Sequence, residues 1–260
     1  MRHLKLIWLF WSTSLGSEAE YRINFLVACL SSLGNLVGSL FALSLFYQKG
    51  GQLGDWRWLE ALIIMALFTI LQGTMRAFLN ANLSRIVEHV RTGTLDFILL
   101  KPVSSQFWLS MRRFSPSGLP DLLIGIGMLG YASHRLSLSP LAGLVAMLPL
   151  ASSLLILYSL WYVIATTTIW FVKIYNVTEV LQSVLAAGRF PIDAFPPGVY
   201  RFFFTFVIPV AFMTTVPARF LLGRGGLDNL LWSVLFALGL FTFSCLFWRF
   251  ALRSYGSASS

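Results

Sequence analysis

The side chains of this chain that could do chemistry outside a bilayer are gathered in one segment. Ser84 to Arg113 reads SRIVEHVRTGTLDFILLKPVSSQFWLSMRR and carries Arg85, Glu88, Arg91, Asp96, Lys101, Arg112 and Arg113, with long apolar runs on either side. The chemistry on offer is docking through charge and shape, not bond-making. A turn over Ile86–Val90 with Glu88 and Arg91 outward presents charge to a partner while its apolar residues anchor below. Gly93 lets the backbone reverse, and Pro102 ends the helical piece that follows. The plainer alternative is a solvated connector between two spans.

Catalytic and metal chemistry find no foothold. There is no Gly-x-x-x-x-Gly-Lys-Ser/Thr phosphate loop, and none of Lys5, Lys49, Lys101 or Lys173 follows a glycine-rich turn. Any nucleotide energy must therefore come from another polypeptide. His3, His89 and His134 are scattered without metal-ligand spacing. Neither a Gly-x-Ser-x-Gly elbow nor a His-Glu-x-x-His pair occurs. Cys29 and Cys245 fall inside apolar runs and read as packing residues, so no disulfide or metal site is implied.

The elements that must position the polar segment are membrane helices. Of 260 residues, 57% are hydrophobic and only 11% charged, and mean hydropathy is +0.76. Soluble domains carry about 25% charged residues, so this chain belongs in a bilayer. The net charge of +9 does not point to nucleic acid, because the basic residues recur at the ends of apolar runs in the positive-inside pattern.

Ile23–Tyr47 is free of charge and long enough to cross a hydrocarbon core of about 30 Å. A second helix is expected from about Trp58 to Leu83, with Arg76 snorkelling from its far end. Asp121–Ser133 is a weaker third span whose start is broken or kinked by Pro116 and Pro120. Leu136–Val172 is uncharged and too long for one untilted crossing, so it must tilt or protrude. Asn229–Trp248 is the last span. Ahead of the first, residues 1–21 read as an interfacial helix, with Arg2, His3 and Lys5 beside Trp8 and Trp11.

Two paths fit the region between. Phe202–Ala218, interrupted by Pro209 and Pro217, is either a full crossing or two short helices that dip into the membrane and return. In the second case Ile174–Gly188 is the fifth crossing. Hydropathy slightly favours the simple crossing, as does the charge count, which improves when Arg189 and Arg201 move inside. Both paths give six crossings, and the excess of Lys and Arg puts both termini and the 84–113 loop in the cytoplasm. Asp121 and Glu179 lie near expected cytoplasmic ends and read as solvated.

The polar segment then carries a resemblance. Glu88, Gly93-Thr94-Leu95-Asp96, Leu99-Leu100-Lys101-Pro102 and Ser104 resemble the "E…GTL…LL…P.S" signature of the type-2 ABC permeases. Downstream, Ala187-Gly188-Arg189-Phe190-Pro191, Phe195-Pro196-Pro197, Ile208-Pro209 and Pro217 with Leu221-Leu222-Gly223 resemble that family's stretch between its fifth and last helices. The closest match is to a bacterial subgroup with paired permeases, and it covers nearly the whole chain in span order.

The resemblance implies an all-α permease of six transmembrane helices in the bacterial inner membrane. Residues 84–113 would be the coupling segment, with Glu88, Arg91, Gly93, Thr94, Leu95, Asp96, Leu100 and Pro102 meeting a cytoplasmic ABC ATPase. Residues 191–226 would form an outer-side region of two short re-entrant helices turning at Pro191, Pro196, Pro197, Pro209 and Pro217. The resemblance tips the ambiguous path toward dip-and-return. An arginine common after the family's outer proline corresponds to Arg219, displaced here. No cofactor belongs to this chain; ATP and Mg²⁺ would sit on the partner, and a second permease, identical or paralogous, would complete the membrane part.

Gly34, Gly38 and Ala42 recur every fourth residue and let helices approach closely. They serve a permease–permease interface or packing within one bundle, with equal claim. The expected function is ATP-driven export of a lipid, glycolipid, hydrophobic drug or polysaccharide. The alternative is a self-sufficient channel or secondary carrier. Such transporters place ionisable residues at mid-membrane, and the best spans carry none there by sequence.

Overall fold

The computed structural model describes Trp11 and residues 22–48, 53–171 and 177–256. It is about 82% helical, and no strand occurs among the described residues. The charge-free first run forms α1 (Arg22–Gln48). After a short connection, α2 (Trp58–Thr74) continues through a wider turn, Met75–Asn80, and then Ala81–Leu83. It runs into α3 (Arg85–Arg91), so that Trp58–Arg91 is one helical stretch of 34 residues. At about 1.5 Å per residue that is roughly 51 Å, well beyond a core of about 30 Å, so one end must project.

The polar segment adds α4 (Leu95–Leu99) and α5 (Ser105–Met111). Then follow α6 (Leu119–Arg135), α7 (Pro140–Thr167), α8 (Val177–Leu185), α9 (Val199–Phe202), α10 (Val216–Leu221) and α11 (Leu227–Ser254). Pro116 opens a short turn before α6, and Pro120 sits in its first turn, where the missing N–H costs nothing. Neither proline breaks the helix. The uncharged run from Leu136 yields one long helix that starts only at Pro140; at 28 residues α7 is roughly 42 Å long and still exceeds a core of about 30 Å, so the expected tilt or protrusion stands. Leu136–Ser139 is a turn, and the Ser139 hydroxyl caps α7 by accepting from Ala142 N at 3.1 Å.

Four helical stretches are long and apolar enough to cross a membrane: Phe25–Gln48, Trp58–Arg91, Pro140–Thr167 and Leu227–Ser254. A fifth is reached if the pair Val199–Val207 and Ala211–Leu221, bent by 71°, counts as one span. α6 has 17 residues. α8 has nine, extended by a tight turn over Ala186–Arg189. The chain is therefore an all-α, multi-pass membrane protein, and the expected six crossings are matched by four or five. Of the expected interfacial helix only Trp11 is described, resting against Phe78 and Phe114 at 5.3 and 5.6 Å between ring centres.

Two helix pairs make the core. α2 lies along α6, and α7 along α11. Glycines set the first pair: a Cβ on Gly73 would sit 2.7 Å from Leu122 N, and one on Gly125 would sit 2.7 Å from Ile70 Cγ1. Only a bare backbone fits there. The bent segment Ala211–Leu221 wedges against α7 and α2, and Ile63, Ile64, Leu67, Ile156, Trp161 and Phe212 share the resulting core. α1 stands apart, with only 11% of its apolar window buried, so most of its surface is left for lipid or for another subunit.

Candidate functional site

Polar and charged side chains collect in three places: at the loop end of the bundle, at the opposite end, and between α1, α2 and α6 within the apolar slab.

At the loop end, α3 and α4 are joined by Thr92-Gly93-Thr94, with Gly93 at φ +69°, a conformation that favours glycine. Ile86, Val90, Leu95 and Ile98 are buried beneath, while Glu88, Arg91, Thr94 and Pro102 are exposed and Asp96 is half-buried. A hydroxyl network stiffens the turn. Thr92 Oγ1 donates to Glu88 O at 2.8 Å and lies 2.9 Å from Thr94 Oγ1, which pairs with His89 Nδ1 at 2.8 Å. The far side of the segment is fastened to α2's extension by Asn82, which donates to Arg113 O at 2.7 Å and accepts from Arg113 N at 2.8 Å. Trp108 lies between two cations, with Lys101 Nζ 4.2 Å and the Arg112 guanidinium 4.8 Å from its ring centre.

On this stiffened turn Phe97 is 69% and Leu100 82% exposed, with Leu99 beside them. They form an apolar knob on a segment that also exposes Glu88, Arg91 and Lys101. Exposed apolar patches of this kind mark interaction surfaces. Phe97 is absent from the residues singled out by sequence, and Leu99 enters there only as part of the Leu99-Leu100-Lys101-Pro102 motif. The signal was present in Asp96-Phe97-Ile98-Leu99-Leu100, but a helical phase was needed to tell buried Ile98 from exposed Phe97.

At the opposite end, Asp193 is the hub. Its Oδ2 accepts from Trp56 Nε1 at 2.9 Å and from Arg219 at 2.7 Å, while Arg201 donates to the carbonyls of Asp193 and Phe195 at 2.9 and 2.8 Å. Burial pushes the Asp193 carboxyl up, but the bonds from Trp56 and Arg219 and the charges of Arg219 and Arg201 outweigh it and hold it below the usual carboxylate range. Glu60, buried in the first turn of α2, takes a two-pronged ion pair from Arg224 at 2.6 and 3.0 Å. Pro191 precedes the tight turn Ile192–Ala194, Pro196 and Pro197 lead into α9, Pro209 sits at the 71° bend, and Pro217 lies in the first turn of α10.

Within the slab the structure corrects two sequence readings. Asp121 is not solvated: it is 2% exposed and pairs with Arg76 at 2.8 Å, so Arg76 turns to a partner instead of snorkelling. Arg189 points inward, donating to Ser39 Oγ at 3.0 Å and Asn35 Oδ1 at 3.1 Å, with its guanidinium over the Phe68 ring. Phe68 lies eight residues beyond Glu60, about 12 Å further along α2. The space between them is about 10 Å³, room for one water, beside Ser32 Oγ, which is buried with no partner among the described residues. The side chain of Glu179 lies outside the described residues.

The stripe on α1 faces away from this cluster's packing. A Cβ on Gly34 or Gly38 would meet nothing within 4 Å among the described residues, and Ala42 is half-buried. Close packing within the chain instead uses Gly73, Gly118 and Gly125. No group of three metal-ligating side chains occurs among the described residues.

Comparison with known protein families matches the chain to the ABC-2 family transporter protein model over residues 33–259. That is nearly the whole chain, so it belongs to this family and is an ABC transporter permease, typically a non-enzymatic membrane subunit. Comparison with curated proteins and with solved structures gives no match.

Proposed function

We propose that this ABC-2 family member is the transmembrane subunit of an ATP-driven exporter in a bacterial inner membrane, with its loop end and both termini in the cytoplasm. The observation that carries the reading is the knob of Phe97, Leu99 and Leu100 on a segment that also exposes Glu88, Arg91 and Lys101. Apolar side chains that project into water on a stiffened turn need a cover, and a soluble ATPase is the cover this family's chemistry requires. Closure of two ATPases would push on α3 and α4. The continuous stretch Trp58–Arg91 would transmit the push to the Glu60 end and to the bent segment fastened there at Asp193. A second permease, identical or paralogous, would cover α1 along Gly34, Gly38 and Ala42. The cargo is an amphiphile or a polysaccharide.

The self-sufficient carrier draws on one observation, the ionisable groups within the slab. Each has its partner in place, however: Arg76 with Asp121, and Arg189 with Asn35 and Ser39. The space there of about 10 Å³ admits no solute larger than water. Co-purification with a soluble ATPase, with ATP hydrolysis by the complex and none by this chain alone, is the expected result. Gradient-driven transport by the purified chain in vesicles, without ATP, would establish the carrier instead.

A further inference from the structure

A cavity of about 960 Å³ opens on the loop-end half of the bundle, between α2's extension, α5, α7 and α11. It lies apart from the stripe on α1 and from the Arg189 cluster. Its body is apolar, walled by Phe107, Met111, Leu154, Leu155 and Phe241, and its volume is at the upper end of the roughly 300–1,000 Å³ of small-molecule sites. α7 and α11 are membrane spans by length and composition, so the cavity opens where lipid chains are.

Its polar groups come from α5, α7 and α11 and are held by bonds between these helices. Tyr158 OH lies 2.9 Å from Ser110 Oγ and accepts from Gln106 Nε2 at 3.2 Å, while Trp248 Nε1 donates to Ser105 Oγ at 3.1 Å. Arg249 also lines the cavity, is exposed, and has no carboxylate partner among the described residues. No carboxylate lines the cavity. Trp11, which also lines the cavity, has a buried indole N–H with no acceptor among the described residues. Donors and one cation at the rim of an apolar chamber fit an anionic head on a hydrocarbon chain.

We infer that this cavity binds a single-chain anionic amphiphile from the loop-side leaflet, its chain lying along α7 and α11 and its head at Arg249. α5 forms one wall and is the direct continuation of the docking segment through Pro102 and Ser104, so occupancy bears on the element that meets the ATPase. The inference rests on the exporter reading only for which leaflet is cytoplasmic; binding itself needs neither ATPase nor transport.

The experiment uses the full chain in nanodiscs of zwitterionic lipid, with lysophosphatidic acid carrying a diazirine in its chain as probe. Photolysis should label α7 and α11 around Leu154–Tyr158 and Phe241–Leu252, and saturably. Unlabelled lysophosphatidic acid should compete at least tenfold better than lysophosphatidylcholine, and inorganic phosphate not at all. Arg249→Gln should erase that preference, and Ala151→Trp should remove the labelling. Where Ala151→Trp fails to fold, unmodified protein serves: the amphiphile should slow maleimide alkylation of Cys245, which lines the cavity, several-fold, and leave Cys29 unchanged. Unsaturable label spread equally over exposed α1 residues such as Val37 and Phe41 would overturn the site. So would competition by phosphate alone, a preference that survives Arg249→Gln, or an unprotected Cys245.

Discussion

Arg219 and Asp193 meet at 2.7 Å, and this contact fastens the bent segment to the residues just before α2, because the same carboxylate oxygen accepts from Trp56. The pair is partly exposed, so its net worth is on the order of 1 kcal/mol. Its pH dependence has a definite sign. The carboxyl is held below its usual range, so the clamp contributes fully above the unfolded value of about 3.9 and fades as pH falls through the depressed folded value. Melting temperature in detergent should drop more steeply below about pH 4 for the native chain than for Asp193→Asn. Parallel curves would remove Asp193 from the stability of this end.

The side on which the Asp193 end lies is testable at Val199, which is 81% exposed and tolerates a cysteine better than the clamped Asp193. Under the proposed orientation, Val199→Cys in a Cys29→Ala/Cys245→Ala background reacts with an impermeant maleimide added to intact cells. Labelling only after the membrane is broken would put this end in the cytoplasm and reverse the topology.

The docking knob yields a cleaner test than deleting Thr94-Leu95, since Leu95 is fully buried and its loss would damage the fold. Phe97→Asp and Leu100→Asp change exposed side chains and should shift stability by no more than about 0.5 kcal/mol. Each should lower recovery of the ATPase in pull-down at least tenfold, and Glu88→Arg should do the same by reversing a charge exposed on the same segment. Undiminished recovery with all three would make the segment a connector.

Glycine substitutions separate the two helix faces. Gly73→Ala and Gly125→Ala force a Cβ into atoms 2.7 Å away and should destabilise the chain by about 1–3 kcal/mol. Gly34→Leu and Gly38→Leu meet open space and should leave the melting temperature of the isolated chain in place, while reducing crosslinking between two permeases. Equal destabilisation by both sets would mean that α1 packs within its own bundle.

The spans and the loop were legible because they depend on composition. The uncharged runs of α1 and α11 announce themselves, and Gly93 with Pro102 marks a turn whatever surrounds it. Facing was not legible. Asp121 stands at the start of a helix, where solvation is the ordinary outcome, and its partner Arg76 lies 45 positions earlier with no local sign of the pairing. Nothing beside Arg189 in the sequence marks its partners Ser39 and Asn35, 150 and 154 positions earlier. Gly73 and Gly125 look no different in sequence from Gly34 and Gly38. Which glycines carry a close contact follows only from which helices are neighbours.

The Arg76–Asp121 pair decides whether the charges within the slab are structural or part of a transport path. Removing one partner leaves a charge buried without compensation, a loss of about 3–5 kcal/mol, whereas removing both and refilling the space with apolar side chains is close to neutral. Arg76→Leu alone should therefore cut the yield of folded protein sharply, and Asp121→Leu alone should do likewise. The double variant should recover folding close to the native melting temperature. The functional outcome then discriminates. If the pair only holds α2 against α6, the double variant with its ATPase retains ATP-dependent export. If it relays ions or protons, the double variant folds, binds the ATPase and fails to transport. Export that survives in a stable double variant assigns the pair to the fold; loss of transport in that same variant would revive the carrier mechanism.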